Sequence, residues 1–240
     1  MGIAALLYGA VCYLAFLASA AYAVGFVGDF GVPTTIDSGP TLPPFESAVT
    51  DLVLLALFAL QHSVMARPAF KRWWSRFVAH SIERSTYVLA SSVALALLCW
   101  QWQPLPRLLW HADGVLRMAL LWLCAAGWAM AVGSSFLISH TDLFGLRQTW
   151  LRCRARRHTP VPFTEAALYK FVRHPMMLGF LIAFWSTPDM SEGHLLFAAA
   201  TTVYILIGVR LEERDLDLAL GDDYRSYRCR VGMLLPRMRK

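Results

Sequence analysis

Long apolar segments are the feature of this sequence that most constrains its fold. Four stretches are long and nearly free of charge, at about residues 3–27, 48–66, 86–103 and 115–139. A bilayer core needs about 20 mainly apolar residues per helix, within a range of about 17–25. Two shorter apolar segments, at about 176–187 and 194–209, flank a turn-forming connector at 188–193. We therefore expect an all-α fold, a polytopic transmembrane helix bundle of about six crossings whose last two helices form a short hairpin.

The composition agrees with lipid as part of the solvent. Of the 240 residues, 57% are hydrophobic and 16% are charged, whereas a soluble domain usually carries about 25% charged residues. The five cysteines lie far apart and include no C-x-x-C spacing. We therefore expect neither a disulfide framework nor a metal site.

The placement of positive charge predicts the orientation. Three segments, 67–84, 147–173 and 210–240, hold 20 of the 22 lysines and arginines. The connectors 28–48 and 188–193 contain aspartate and glutamate but no lysine or arginine. Under the positive-inside rule the basic segments are cytoplasmic, and so are both termini. The net charge of +6 is then a topology signal in a bilayer protein, and we expect no nucleic-acid partner.

Polar side chains near the cytoplasmic ends of the apolar segments are candidate functional residues, because such groups are costly at membrane depth. Gln61 and His62 lie near the end of the second segment, where interhelical hydrogen bonds are an equally good explanation. His140 and Asp142 follow the fourth segment. Asp142 could orient the His140 imidazole as a general base, and an interfacial cap with an ion pair is the alternative.

A third group, Arg173, His174 and Pro175 followed by Gly179, runs directly into apolar residues. Pro175 cannot donate to the carbonyl of Phe171, so we expect a kinked helix with the two basic residues at its mouth. Gly179 would let a ligand or a backbone approach closely. This arrangement suits an anionic carboxylate at the cytoplasmic edge.

A fourth group closes the last apolar segment. Glu212 and Glu213 could partner a cationic ligand or Arg173, and an ordinary charged helix end is the alternative. Tyr224 and Tyr227 follow in the basic tail.

In their order, the Arg-His-Pro motif, the Glu-Glu pair and the two tyrosines before Pro236 resemble the signature of membrane methyltransferases. That superfamily includes isoprenylcysteine carboxyl methyltransferase and phospholipid N-methyltransferases. The resemblance implies S-adenosylmethionine as cofactor, S-adenosylhomocysteine as product, no metal, and a pocket at the cytoplasmic C-terminal end. Met177 departs from the pattern, which usually has tyrosine there. The implied cofactor-binding residues are Tyr169, Arg173, His174, Pro175, Gly179, Glu212, Glu213 and Tyr224.

Three further motifs, at 61–68, 83–87 and 142–148, resemble the bacterial methanethiol S-methyltransferases of the NnrU-like branch. This closer resemblance covers about residues 50–236. It implies in-line methylation of a small volatile thiol, methanethiol, to dimethyl sulfide in a bacterial inner membrane. The implied catalytic residues are His140, Asp142, Arg147 and Gln148. The residues implied to lie beside the substrate or to support it are Gln61, His62 and Arg84.

On this interpretation residues 1–240 form one membrane methyltransferase domain. Residues 1–139 supply four transmembrane helices, and residues 140–240 supply the catalytic and cofactor-binding region with the last helix pair. A methyltransferase for prenylcysteine or a lipid is one alternative, and a non-catalytic NnrU-like membrane protein is another. A transporter is disfavoured, because a broken helix is expected in the C-terminal half alone.

Overall fold

A computed structural model of the protein describes residues 2–159 and 165–237. The helices are, in chain order, α1 (Gly2–Val27), α2 (Pro44–Ala66), α3 (Pro68–Trp74), α4 (His80–Gln101), α5 (Gly114–Ile138), α6 (His140–Leu143), α7 (Leu146–Cys153), α8 (Pro175–Trp185), α9 (Glu192–Leu220) and α10 (Asp222–Arg230). A 3₁₀ helix covers Ala167–Lys170, and two short strands, β1 (Leu108–His111) and β2 (Asp189–Ser191), pair with each other.

Five of these helices, α1, α2, α4, α5 and α9, are long and apolar enough to cross a membrane. Their outward faces carry large apolar side chains, among them Leu7, Leu60 and Val115, which are more than half exposed to the surroundings. Contact with lipid accounts for this exposure, because large apolar surfaces are unfavourable in water. The predicted all-α fold class and its multi-pass membrane character are confirmed. The two short strands were not predicted.

The described residues form two compact units. The first contains α1, α2, α3, α4, α6, α7 and the first residues of α9, and the second contains β1, α5, α8, α10 and the remainder of α9. The organisation of residues 1–240 as one methyltransferase domain stays a prediction.

In the first unit, α1 packs against α4 and α7, and α2 packs against α4. The approach to α7 is close, since a methyl group added to Gly9 would lie 2.5 Å from the hydroxyl of Thr149. Nearer the start of α1, the hydroxyls of Tyr8 and Thr86 lie 3.0 Å apart. These contacts gather the start of α1, the start of α4 and helix α7 at one end of the unit.

In the second unit, α5 and α8 run antiparallel and meet through small residues. A methyl group added to Gly127 would lie 2.7 Å from the carbonyl oxygen of Gly179, and one added to Gly179 would lie 2.6 Å from the nitrogen of Ala131. Ala183, four positions after Gly179, is a second small residue of α8. Small residues four apart let transmembrane helices pack backbone to backbone.

The last two apolar segments form an unequal pair. The predicted segment 194–209 lies within α9, which has 29 residues, whereas α8 has 11 and is about 16 Å long. That is roughly half of a bilayer core. After α8 the chain continues alongside α5 towards its start, where the nitrogen of Ala112 donates to the carbonyl of Pro188 at 2.9 Å. The segment from Pro175 to Asp189 thus runs along α5 as a short helix followed by non-helical chain.

Candidate functional site

An arginine–glutamate cluster, defined as Arg173, His174, Glu212 and Glu213, lies in the second unit. The Nε of Arg173 donates to Oε1 of Glu213 at 2.7 Å, and Nε2 of His174 lies 3.1 Å from the same oxygen. Glu212 lies 3.6 Å from Nδ1 of His174 and is half exposed. The side chains of Arg173 and Glu213 are 9% and 11% exposed. The structure thus joins the predicted Arg-His-Pro and Glu-Glu motifs through a buried ion pair.

The start of α8 corrects one expectation. Pro175 occupies the first turn of α8 instead of kinking a longer helix, a position in which its missing N–H costs no hydrogen bond. Before it, Val172 forms a parallel bridge with Gly232 of the tail. The backbone nitrogens of Arg173 and His174 continue this pairing to the tail carbonyls at 2.9 and 3.2 Å.

Gly232 makes this pairing possible. A methyl group added to it would lie 1.9 Å from the carbonyl oxygen of Leu235, so no other residue fits the turn without moving the tail. On the facing side, NH1 of Arg173 donates to the carbonyl of Arg228 at 3.2 Å and to that of Val231. The guanidinium is therefore largely occupied by contacts within the protein. The sequence allowed its pairing with a glutamate but did not predict the two carbonyl contacts.

Three tyrosines surround the cluster. The hydroxyl of Tyr227 donates to the carbonyl of Tyr169 at 2.6 Å, and Tyr224 is buried beside Tyr227. Burial, with the nearby Glu212 carboxylate, raises the pKa of Tyr169 above its ordinary value. Burial and Glu213 do the same to the pKa of Tyr224, and burial and Glu165 raise the pKa of Tyr227 to about 12. All three hydroxyls therefore stay protonated at neutral pH and can donate hydrogen bonds.

A cavity of about 420 Å³ opens beside this cluster, a size within the usual range of small-molecule sites. Its lining combines three arginines, one carboxylate and a stretch of tail backbone: Arg173, Arg228, Arg237, Glu213, Val231, Gly232 and Met233. Such a lining can bind a ligand that carries both a negative and a positive group.

Gly179, predicted as a cofactor contact, lies instead against the backbone of α5. Of the two explanations that the sequence allowed for this glycine, ligand approach or backbone approach, the structure supports the second.

A histidine–aspartate cluster, defined as His140, Asp142, Arg147 and His158, lies in the first unit. Oδ1 of Asp142 is 2.8 Å from Nε2 of His158 and 3.1 Å from NH1 of Arg147. Arg147 also donates to both the carbonyl and the hydroxyl of Thr159. The expected pairing of Asp142 with His140 is absent from the described contacts of Asp142. The aspartate instead pairs with His158, which sequence reasoning missed.

His140 has a different environment. Its Nε2 lies 2.7 Å from the hydroxyl of Tyr13 on α1, and its ring packs against Phe144. Burial lowers the pKa of His140 below its ordinary value. The imidazole is therefore neutral at physiological pH, the form in which one ring nitrogen can accept a proton.

The loop that carries these residues is fastened to α4. Nε of Arg84 donates to the carbonyl of Leu143 at 2.7 Å. Gly145 has φ +85°, and a methyl group on it would lie 2.6 Å from the hydroxyl oxygen of Ser85. Both the backbone angle and the close approach require glycine here. Arg84 thus acts on the loop through its backbone.

Gln148 presents an acceptor without a donor. Its Nε2 donates to the carbonyl of Asp142 at 3.1 Å, while its Oε1 is buried and has no hydrogen-bond partner in the described parts of the chain. The whole residue is 8% exposed. Leaving a buried acceptor unpaired costs about 1–3 kcal/mol, so a ligand that can donate would be favoured there.

Gln61 and His62 lie between α2 and α4. The two ring nitrogens of His62 lie 2.8 Å from the hydroxyl of Tyr87 and 3.1 Å from that of Ser91. Gln61 donates to the sulfur of Met65, and its Oε1 is buried with no partner among the described residues. These contacts are the interhelical hydrogen bonds that the sequence allowed as an alternative to a role beside the substrate.

Eight of the predicted site residues therefore form two groups. Arg173, His174, Glu212 and Glu213 share one cluster in the second unit. His140, Asp142, Arg147 and Gln148 lie in α6 and the start of α7, in the first unit. In the parts of the chain that the structure describes, no group of three or more His, Cys, Asp or Glu side chains is placed to hold a metal ion.

Known proteins similar to this chain name the family. A protein from Mycobacterium tuberculosis (strain ATCC 25618 / H37Rv), named methanethiol S-methyltransferase, is 54% identical over 235 residues, which cover 96% of this chain and 95% of that protein. The chain belongs to the methanethiol S-methyltransferase family. A second member, methanethiol S-methyltransferase 1 from Bradyrhizobium diazoefficiens, is 51% identical over 97% of this chain and 82% of that protein.

The chain is also similar, at lower identity, to an animal protein. Nurim from Sus scrofa is 30% identical to this chain over 175 residues, which cover 69% of the chain and 66% of that protein. No family model matches the chain, and no solved structure matches it. The resemblance found in the sequence motifs is thus confirmed at the level of the methanethiol S-methyltransferase family.

Proposed function

We propose that this protein methylates methanethiol at sulfur to give dimethyl sulfide, with S-adenosylmethionine as the methyl donor. The observation that carries the proposal is the kinship with proteins named for this reaction, which match nearly the whole chain at 46–54% identity. The two polar clusters supply the chemistry that the reaction needs, and their roles below are part of the proposal.

The cavity beside the arginine–glutamate cluster fits the donor by its charges. S-adenosylmethionine carries a carboxylate, an ammonium and a sulfonium, and it supplies an electrophilic methyl group when bound. Arg228 and Arg237 line the cavity without an ion pair to any described residue, so they can face the carboxylate. Glu213, fixed by Arg173 and His174, can face the cationic part.

Glu212, by contrast, is half exposed and can adapt to the ligand. Tyr169 and Tyr224, protonated at neutral pH, complete the set with hydroxyl donors. Arg173 itself acts mainly as the residue that fastens the tail.

The histidine–aspartate cluster fits proton acceptance from the thiol. A free alkyl thiol is mostly protonated at neutral pH, and the thiolate is the better nucleophile. Two imidazoles are available to take that proton. Asp142 lies 2.8 Å from Nε2 of His158 and can orient that ring, and burial favours the neutral form of His140 beside Tyr13. Gln148 offers its unpaired carbonyl oxygen to the thiol S–H.

The test is a headspace assay for dimethyl sulfide on membranes that contain the protein, supplied with methanethiol and S-adenosylmethionine. The proposal expects dimethyl sulfide only when both are present. His140→Gln and His158→Gln separate the two proton acceptors, because the variant that loses turnover while retaining S-adenosylmethionine binding identifies the residue. Retained turnover in both variants would remove these imidazoles from the mechanism.

The same assay addresses the alternatives. Methylation of a prenylcysteine or a phospholipid, with methanethiol inert, would assign the protein to another acceptor. S-adenosylmethionine binding without any product would favour a non-catalytic membrane protein.

We also propose a bacterial inner-membrane location with both termini cytoplasmic, as the distribution of basic residues supports. Cys229 in α10 is exposed and free. A membrane-impermeant thiol reagent should therefore label it in inverted vesicles and spare it in right-side-out spheroplasts.

A further inference from the structure

A basic–aromatic segment, defined as Arg67–Phe77, follows the membrane helix α2 directly. Arg67 is the single residue between α2 and α3. Because α2 is long and apolar enough to cross a membrane, the segment begins where the chain leaves the hydrocarbon core.

Aromatic side chains in this segment pack on one another. Phe70 lies 5.4 Å from Trp73 and 5.7 Å from Trp74, measured between ring centroids, and Trp73 lies 5.4 Å from Phe77. Trp73 is 48% exposed and Phe77 is 70% exposed. Tryptophan and other amphipathic rings are favoured at the headgroup level of a bilayer, which explains large rings left open at this position.

The charges of the segment are all positive. Arg67, Lys71, Arg72 and Arg76 lie within it, and no aspartate or glutamate occurs between residues 52 and 82. The side chains of Arg72 and Arg76 are exposed and form no ion pair or hydrogen bond with any part of the chain that the structure describes. Arg72 and Arg76 directly precede Trp73 and Phe77 in the chain, so exposed charge and exposed rings alternate along one short segment.

We infer that the basic–aromatic segment binds the headgroups of anionic phospholipids at the membrane surface where α2 ends. Its arginines carry the charge that complements a phosphate, and its aromatic rings are of the kind that is favoured at the depth of the membrane–water interface. A nucleic acid or a soluble acidic protein would leave the exposed rings unexplained. This inference does not depend on the proposed reaction.

The experiment uses the full-length protein in bilayers that contain equal parts of phosphatidylcholine and phosphatidylglycerol. Spin-labelled forms of the two lipids report how strongly each associates with the protein. We expect the wild-type protein to select phosphatidylglycerol, with a preference of about fivefold for each arginine that contacts a headgroup. That preference should decline at high salt.

The variant is Arg72→Gln combined with Arg76→Gln, and the matched control is Arg156→Gln combined with Arg157→Gln, an exposed pair elsewhere in the first unit. The inference expects selectivity to fall in the first variant and to persist in the control. Equal loss in both would overturn it, because any basic pair would then serve. Absence of selectivity in the wild-type protein would also overturn the inference. Unchanged selectivity in the first variant would overturn it too, and an altered oligomeric mass in that variant would indicate a second copy of the chain as the partner.

Discussion

Replacement of Arg173 by lysine tests whether this arginine fastens the C-terminal tail. Its Nε donates to Glu213, and its NH1 donates to the backbone carbonyls of Arg228 and Val231. Lysine keeps the positive charge but presents one nitrogen instead of a planar fork. It can retain the ion pair with Glu213 and must then lose the two carbonyl contacts. The charge is conserved while the attachment of the tail is weakened.

The magnitude follows from the two lost bonds. The contact with Arg228 is solvent-exposed and contributes little. The contact with Val231 is partly buried, and a hydrogen bond from a charged group contributes about 1.5–3 kcal/mol. The equilibrium for opening of the tail should therefore rise by about 10- to 150-fold.

Hydrogen exchange of the full-length protein measures that opening. The amides of Arg173 and His174 donate to the carbonyls of Gly232 and Met233, so peptides covering 170–178 and 225–235 should exchange faster together. Arg225→Lys is the matched control, because Arg225 lies on α10 with Arg228 but, among the described residues, forms ion pairs with Asp217 and Asp222. Unchanged exchange in the Arg173 variant, or an equal change in the control, would refute the reasoning.

Two further substitutions test the α6–α7 segment of the first unit, and a third tests His111 in strand β1 of the second unit. Gly145→Ala should lower the denaturation temperature in detergent, because φ is +85° and the new methyl group meets Ser85. The backbone angle alone should cost about 1–2 kcal/mol. An unchanged denaturation temperature would contradict this prediction. Gln148→Leu should raise the KM for methanethiol about threefold or more without changing S-adenosylmethionine affinity, since it removes the unpaired acceptor; an equal KM would exclude a thiol contact. Hydrogen bonds to Asp189 and, to a smaller extent, Asp113 raise the pKa of His111. The contribution of His111 to the free energy of unfolding is therefore complete below about pH 6.5 and is lost as the pH rises through the raised pKa. His111→Gln should remove that decline in denaturation temperature, and a decline of the same size in the variant would point to another group.

The fold followed from the sequence where apolar length decided the outcome. The bounds of the four long predicted segments agree with those of α1, α2, α4 and α5 to within six residues, because a bilayer fixes the length and composition of a spanning helix. The short pair was harder to predict. Pro175 was expected to bend a helix and instead begins one, since a proline is compatible with either position and the choice depends on the pairing of Val172 with Gly232.

The candidate site was predictable in its membership but less so in its contacts. The link between the Arg-His-Pro and Glu-Glu motifs was anticipated as a possible pairing of the acidic residues with Arg173. The pairing of Asp142 with His158 was not, because 16 positions separate them and local spacing favoured His140. The tail carbonyls that bind Arg173 left no signal at all, since backbone acceptors are present in every residue.

The short helix α8 has a consequence for how the chain enters the membrane. With 11 residues it offers too little apolar surface to partition into lipid alone, and the chain after it carries peptide groups that lipid cannot solvate. Its face of Gly179 and Ala183 fits α5, which is long enough and apolar enough to cross a membrane. Biogenesis is therefore ordered: α5 must already be in the bilayer and must act as the template on which the segment from Pro175 to Asp189 assembles. A mutation on the small-residue face of α5 should consequently appear as a failure of insertion and rapid degradation of the protein, before any effect on the mature enzyme could be measured.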